Sequence, residues 1–201
     1  MKQNTDLLLL QARLDESEIP RFEAACAAAR AAWPGARLQR MAWSPAEGDA
    51  YAYLALPQRT LLDAAALQPV LDAFGEALPA IALPRVSRLE RAFEVAGASA
   101  DARPVFHYVV EMDPEDGWRE ELLDWYDTEH MPGLASVPGA IRATRMLNHD
   151  HGPLSLACYD LVSTETLGSP PWLAVRGSEW SSRVRPHFTN TRRTMFRTLG
   201  L

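Results

Sequence analysis

Pro34-Gly35-Ala36 and Pro138-Gly139-Ala140 are the stretches on which the fold of this chain turns. They stand 104 positions apart, and each precedes an Arg-Met pair, Arg40-Met41 and Arg145-Met146. Phe93 and Gly97 recur in the same manner as Phe196 and Gly200, at a shift of 103. A Pro-Gly step ends a helix, because proline lacks a backbone N–H and glycine accepts the left-handed conformation. Landmarks that recur at the same place in a repeated order of elements point to a duplication.

That order can be followed outward from each landmark. Before Pro34, residues 5–14 read as an apolar strand, and Ser17 reads as the N-cap of an alanine-rich helix running to about Trp33. After it, residues 36–44 and 50–56 read as strands around the turn-forming stretch 44–49. Residues 59–78 carry a helical apolar side with a kink expected at Pro69, and 85–95 offer a fourth strand. Gly97–Arg103 reads as a short polar linker. The order then restarts with a strand at 104–112 and a helix from about Gly117 to His130, which Met131-Pro132-Gly133 should end. Strands at 140–148 and 154–162, helical or irregular chain at 164–186, and a strand at 188–199 complete it.

The expected class is therefore α+β, with two β-α-β-β-α-β halves, 1–97 and 103–201. A four-stranded sheet with its helices on one face must bury the other face, and two such sheets packed together do so. The chain is expected to form this pair within itself, as a pseudo-dimer; a homodimer of whole chains is compatible with the same pattern.

Composition narrows the function. A length of 201 residues with 47% apolar content supports a packed core, and the formal charge of −6 argues against nucleic acid as a partner. Nothing in the first thirty residues combines a basic n-region with an apolar run longer than Leu7–Leu10, so neither a signal peptide nor a membrane span is expected, and the expected location is cytoplasmic. Cys26 and Cys158 lack any zinc-type spacing and read as buried thiols. Charge is unevenly distributed: Glu111 to Glu129 contains nine acids against Arg119, and Arg176 to Arg197 contains six arginines against Glu179. The two blocks are solvated faces, mutual partners, or in the second case the lining of an anion site.

Chemistry concentrates in the second half. His130 can move a proton near neutral pH, and helical spacing puts Tyr126 and Asp127 on its side, the first to supply a hydroxyl and the second to orient the imidazole. The competing explanation is that His130 caps the last carbonyls of its helix. His107, on the same strand face as Glu111, is a candidate ligand for substrate, and so are Trp125, Arg142, Tyr108 and Tyr159. His149 and His151 flank Asp150 in a turn, where solvated loop residues are the simpler explanation than a metal. In the first half the position equivalent to His130 is Cys26, so that half is expected to be a structural partner without a site.

The segment Asp124-Trp125-Tyr126-Asp127-Thr128-Glu129-His130-Met131-Pro132, followed by Val137-Pro138-Gly139, resembles the dimeric α/β-barrel superfamily of ferredoxin-like halves, and within it the EthD-like proteins. Ser178–Arg183 and Arg185-Pro186-His187-Phe188 are similar to the closing stretch of that group, and the likeness covers residues 104–201 best. What it implies is a cleft between sheet and helices for a small, often aromatic molecule, and relatives that include cyclases, dehydratases, isomerases and cofactor-free monooxygenases. Shared fold does not choose among them. No Gly-rich phosphate loop, GxSxG elbow or HExxH helix is present, so no cofactor is expected, although a pocket-bound haem or flavin would leave no such motif. The expected function is a cofactor-independent lyase or isomerase acting on a small cyclic or aromatic carbonyl compound, with His130, Asp127 and Tyr126 as catalytic residues. Its rivals are a non-catalytic binding protein and a cofactor-free monooxygenase of the antibiotic-biosynthesis type.

Overall fold

The computed structural model describes residues 1–79 and 82–200; residues 80, 81 and 201, which fall inside the two expected halves, lie outside the described residues. The element order is β1 (Gln3–Arg13), α1 (Ile19–Ala31), β2 (Arg37–Trp43), β3 (Asp49–Leu62), α2 (Gln68–Glu76), β4 (Arg85–Ala96), β5 (Phe106–Pro114), α3 (Arg119–Trp125), a π-helical turn (Tyr126–His130), α4 (Met131–Ala135), β6 (Ala140–Asn148), β7 (Ser155–Leu161), α5 (Pro170–Arg176), α6 (Glu179–Val184) and β8 (Phe188–Thr198). The β-α-β-β-α-β order thus occurs twice. The hydrogen-bonded strand order β1-β3-β2-β8-β5-β7-β6-β4 closes on itself, the strand topology of an α/β barrel and the α+β class expected from sequence.

The chain packs as two compact units. One comprises Met1–Arg91, Asn148–Gly152 and Phe196–Leu201, and the other Ala92–Leu147 and Pro153–Met195. Strands β4 and β8 each contribute residues to both, and the β6–β7 hairpin tip belongs with the first unit.

In the first unit β1 lies between β3 and β4, and Leu7 to Leu10 are all at most 2% exposed, which explains why this strand reads as a continuous apolar run rather than an alternation. Leu8 and Leu10 face the helices, where Phe22, Cys26 and Ala29 of α1 and Val70 and Phe74 of α2 pack against them. Each fully buried Leu or Phe contributes about 1.5–3 kcal/mol. The Phe22 and Phe74 rings meet edge to face at 6.0 Å. Arg88, in β4, is buried, and its guanidinium donates to Asp150 from Nη2 at 2.7 Å and from Nε at 3.0 Å, and to the Leu62 carbonyl at 2.7 Å. Asp150 is thereby committed to structure, and among the described residues no cluster of His, Cys, Asp and Glu is placed to hold a metal.

Three local expectations are corrected. Ser17 does not cap α1: it lies within a 3₁₀ turn, Glu16–Glu18, and no side chain caps that turn or the helix. The second helix does not begin at 59, because β3 continues to Leu62, its residues 60–62 pairing with Thr5, Asn4 and Gln3 beyond an irregularity in the register. Asp63 then supplies the helix start, accepting from Ala66 N at 3.1 Å, and Pro69 sits in the first turn of α2, where its missing N–H costs nothing, instead of kinking a longer helix. Met131-Pro132-Gly133 does not stop the helix of the second half. A π turn intervenes, Pro132 falls in the first turn of α4, and the helical chain runs on to Ala135.

In the second unit β5 and β6 flank β7, and one face of this sheet carries Tyr108, Val110, Met112, Ala143, Ala157 and Tyr159 toward α3, α4, Trp172 and Val184. Gly139 takes the left-handed conformation at φ +95°, as Gly35 does at +81°, so both Pro-Gly steps turn the chain from helix into strand by the same means. At Gly133 the lack of a side chain lets α5 approach α4: an added Cβ would lie 2.9 Å from Val175 Cγ1.

Candidate functional site

The site lies in the second unit, where the sheet, the π turn, α5 and the start of β8 enclose a cleft. Tyr108 and Val110 enter it from β5, Tyr159 from β7, and Trp125, Tyr126, His130 and Leu134 from the helices above. Trp172 and Arg176 come from α5, Arg185 from the following 3₁₀ turn, and Phe188 and Arg193 from β8. The open volume is about 30 Å³, comparable to the share of one water in the liquid. A larger molecule enters only if the lining side chains give way.

The π turn decides which side chains meet. Met131 N donates to the Tyr126 carbonyl, one residue further than in an α-helix, so the chain is unwound locally. Residues five apart on an α-helix point about 140° away from each other, yet here the Trp125 and His130 rings stack at 4.1 Å with 24° between planes. The Tyr126 ring meets His130 edge-on at 5.6 Å. Tyr159 stacks near Tyr108 at 6.2 Å, meets Trp172 edge-on at 5.3 Å, and donates its hydroxyl to Met131 Sδ at 3.1 Å.

The electrostatics are one-sided. His130 is buried, its Nδ1 has no hydrogen-bond partner, and burial followed by the charges of Arg185 and Arg176 pulls its pKa down to about 3. It is therefore neutral at neutral pH. Burial holds the Tyr126 and Tyr159 hydroxyls well above their usual range, so both stay protonated. Burial, and then Arg176 and Arg193, depress the pKa of Arg185 itself. The indole Nε1 atoms of Trp125 and Trp172 are also buried without partners. Such unmet donors in a cleft wall are costly unless something fills the space.

Of the residues singled out in the sequence, His130, Tyr126, Trp125, Tyr108 and Tyr159 meet at this cleft. Asp127 does not orient His130: it accepts from Arg145, from Nε at 2.9 Å and from Nη2 at 2.7 Å. His107 lies on the opposite face of β5 from Tyr108, with Nδ1 2.8 Å from Asp160 Oδ1, and Arg142 is exposed on β6 and does not line the cleft. Neither shares the site because strand residues alternate between faces. The explanation that His130 caps helix carbonyls fails, since the chain continues as α4 beyond it. Arg176, Arg185 and Arg193 are site residues that single-residue reasoning passed over; their only trace in the sequence is the arginine-rich block.

That block and the acidic one do meet. Ser178 donates to Glu129 at 2.6 Å, Trp180 and Arg183 donate to Glu121 at 2.8 and 2.6 Å, and His187 bonds Glu115 at 2.6 Å while stacking on Trp118. These bonds hold the segment bearing Arg176 and Arg185 against α3 and the π turn.

The corresponding place in the first unit is apolar among the described residues. Cys26 is buried among Leu, Ala and Phe side chains, and burial pushes its thiol far up. A more open groove of about 670 Å³ lies elsewhere in that unit, beside Leu14, Trp43 and the 45–48 turn. Its Trp43 donates to the Leu14 carbonyl at 3.1 Å, and its Arg21 pairs with Glu18 at 3.0 Å, so these polar groups are already satisfied.

No family model and no curated protein matches this sequence. Solved structures do match in fold. An anthrone oxidase-like protein is 13% identical with a TM-score of 0.67, over 98% of this chain and 93% of that one. A protein of Lactobacillus acidophilus NCFM, assigned provisionally as a monooxygenase, is 14% identical with a TM-score of 0.63, over 96% and 94%. A ferredoxin-fold protein of Listeria monocytogenes 4b F2365, described as related to antibiotic biosynthesis monooxygenases, is 7% identical with a TM-score of 0.54, over 99% and 97%. At these identities the shared property is the fold. Among the described residues no helix is long and apolar enough to cross a membrane.

Proposed function

We propose that this protein is a cofactor-independent monooxygenase that enolises a small, planar aromatic carbonyl compound and lets dioxygen react with the carbanion. The observation that carries this reading is a neutral, unpartnered His130 imidazole in an aromatic cleft beside three arginines. An activated methylene would lose a proton to His130 while the arginines stabilise the enolate oxygen. With the cleft empty the imidazole is a poor base. Negative charge developing beside Arg176 and Arg185 offsets the repulsion that depresses its pKa, so base strength and enolate formation rise together. The carbanion reduces dioxygen and becomes a peroxide, which loses water to leave a ketone: one CH₂ and one O₂ give one C=O and one H₂O. The monooxygenase and anthrone oxidase-like descriptions of proteins sharing the fold support the oxidative outcome.

A second reading, a lyase or isomerase, shares the first step. It is favoured by the protonated Tyr126 hydroxyl beside His130, a donor able to return the proton to a different atom. In both readings the duplicated order of elements supports descent of the chain from a tandem, EthD-like pair in which the first copy is structural. Two free, buried cysteines fit a cytoplasmic setting.

The test supplies enolisable aromatic ketones, anthrones among them, and follows oxygen uptake together with solvent deuterium incorporation. Oxygen uptake equal to product formed supports the monooxygenase. Deuterium incorporation without oxygen uptake selects the isomerase or lyase, and neither signal with any compound leaves a binding protein. His130→Ala should lower turnover by about 100- to 10,000-fold, the usual worth of a general base.

A further inference from the structure

We propose that the cleft recognises an aromatic carboxylate, with the ionised carboxylate on Arg176, Arg185 and Arg193 and the ring among Tyr108, Trp125 and Trp172. This rests on the proposed use of the cleft for a planar substrate, and it adds that the substrate carries a permanent negative charge.

The argument begins with how the arginine-rich segment sorts its charges. Outside the cleft, three basic residues of the segment meet acids: Arg183 reaches Glu121 at 2.6 Å, His187 bonds Glu115 at 2.6 Å, and Arg192 lies 4.0 Å from Glu111; Arg197 neither lines the cleft nor meets an acid among the described residues. The three arginines that line the cleft have no acidic partner among the described residues, and no carboxylate lines the cleft beside them. Arg185 makes its hydrogen bond, at 3.4 Å, to the carbonyl oxygen of Arg176, a neutral acceptor. Three like charges brought together around a narrow, partly buried space repel one another and weaken the fold unless an anion joins them. An enolate alone would offset one of the three.

The rest of the wall points the same way. Indoles and guanidiniums can only donate, and the indole N–H groups of Trp125 and Trp172 are buried without acceptors. A cleft rich in donors and free of acids selects a ligand rich in acceptors. The flat guanidinium fork matches a carboxylate in two-point contact, and the aromatic walls require that the charge be attached to a ring.

The experiment titrates the protein with 2-naphthoate, with the uncharged 2-naphthamide and with inorganic phosphate, following tryptophan fluorescence and the His130 imidazole by NMR. Naphthoate should bind at least about tenfold more tightly than the amide, the advantage of a charge-assisted hydrogen bond. That preference should fall with added salt, and naphthoate should raise the pKa of His130. Arg176→Gln and Arg193→Gln should each erase most of it; Arg193 is exposed, so its variant is expected to fold, and circular dichroism checks both. Equal binding of naphthoate and amide, phosphate binding as tight as naphthoate, or an undiminished preference in folded arginine variants overturns the proposal. The two readings fail separately. Charge-selective naphthoate binding without turnover of any ketone removes the monooxygenase and leaves the carboxylate site, whereas oxygen-consuming turnover of uncharged ketones by the wild-type protein, together with equal binding of naphthoate and naphthamide, does the reverse.

Discussion

Arg145, on β6, donates from Nε and Nη2 to the two carboxylate oxygens of Asp127, at 2.9 and 2.7 Å, and so ties the π turn to the sheet beneath it. Asp127→Asn would leave a guanidinium whose side chain is 3% exposed without its counter-charge. Because the Asp127 side chain is itself 35% exposed, water softens the loss to about 1–3 kcal/mol. Arg145→Met should cost less, and the double variant should lie close to Arg145→Met. Urea denaturation measures all three. A destabilisation of Asp127→Asn below about 0.5 kcal/mol would show that the pair does not hold the turn.

His130 should make stability depend on pH. In the unfolded chain its imidazole takes up a proton near its ordinary value of 6.5, but in the fold only near 3. Between these limits the unfolded state binds more protons, so stability rises with pH across the window and the contribution is complete above it. From this residue alone the protein should be about 2 kcal/mol less stable at pH 5 than at pH 7. His130→Gln should remove that part of the difference. Urea midpoints at the two pH values, compared between variant and wild type, give the answer; equal differences in both proteins would mean that His130 is protonated as readily in the fold as outside it.

Gly97 and Gly200, the recurrent glycines, should respond oppositely to alanine. A Cβ at Gly97 would run into the Ala140 carbonyl and the Ile141 backbone, atoms that cannot rotate away, and Gly97 N already donates to Ile141 O at 2.8 Å. Gly97→Ala should therefore cost about 1–3 kcal/mol or more. Nothing lies within 4 Å of a Cβ at Gly200, so Gly200→Ala should stay within about 0.5 kcal/mol of wild type. Thermal unfolding of both variants tests the contrast. A wild-type midpoint for Gly97→Ala would rule out the close approach of its backbone to β6.

Much of the candidate site was legible. Trp125, Tyr126 and His130 stand within six residues of chain, so local spacing is enough to group them, whereas Tyr108 and Tyr159, 51 residues apart, are brought together by the pairing of β5 with β7. α-Helical spacing misplaces Asp127, because the chain makes a π turn there. That turn has no compositional signature; it is sustained by Trp125 stacking on His130 and by Arg145, 18 residues away, drawing Asp127 toward the sheet. Alternation sets His107 opposite Tyr108 on β5, but only the assembled structure reveals which face of β5 meets the cleft.

What the sequence by itself determined is the order of elements and the unequal chemistry of its two halves. Pro-Gly steps, apolar periodicity and capping act over a few residues, and His130 against Cys26 is a difference of composition. Tertiary structure alone decided which of the arginines in the 176–197 block are neutralised and which are left facing a cleft. Arg183 and Arg185 are two residues apart in sequence, yet one pairs with Glu121 and the other lines the cleft with Arg176 and Arg193. Electrostatic interactions fall off with distance through space and not along the chain, so only packing assigns a charge its partner.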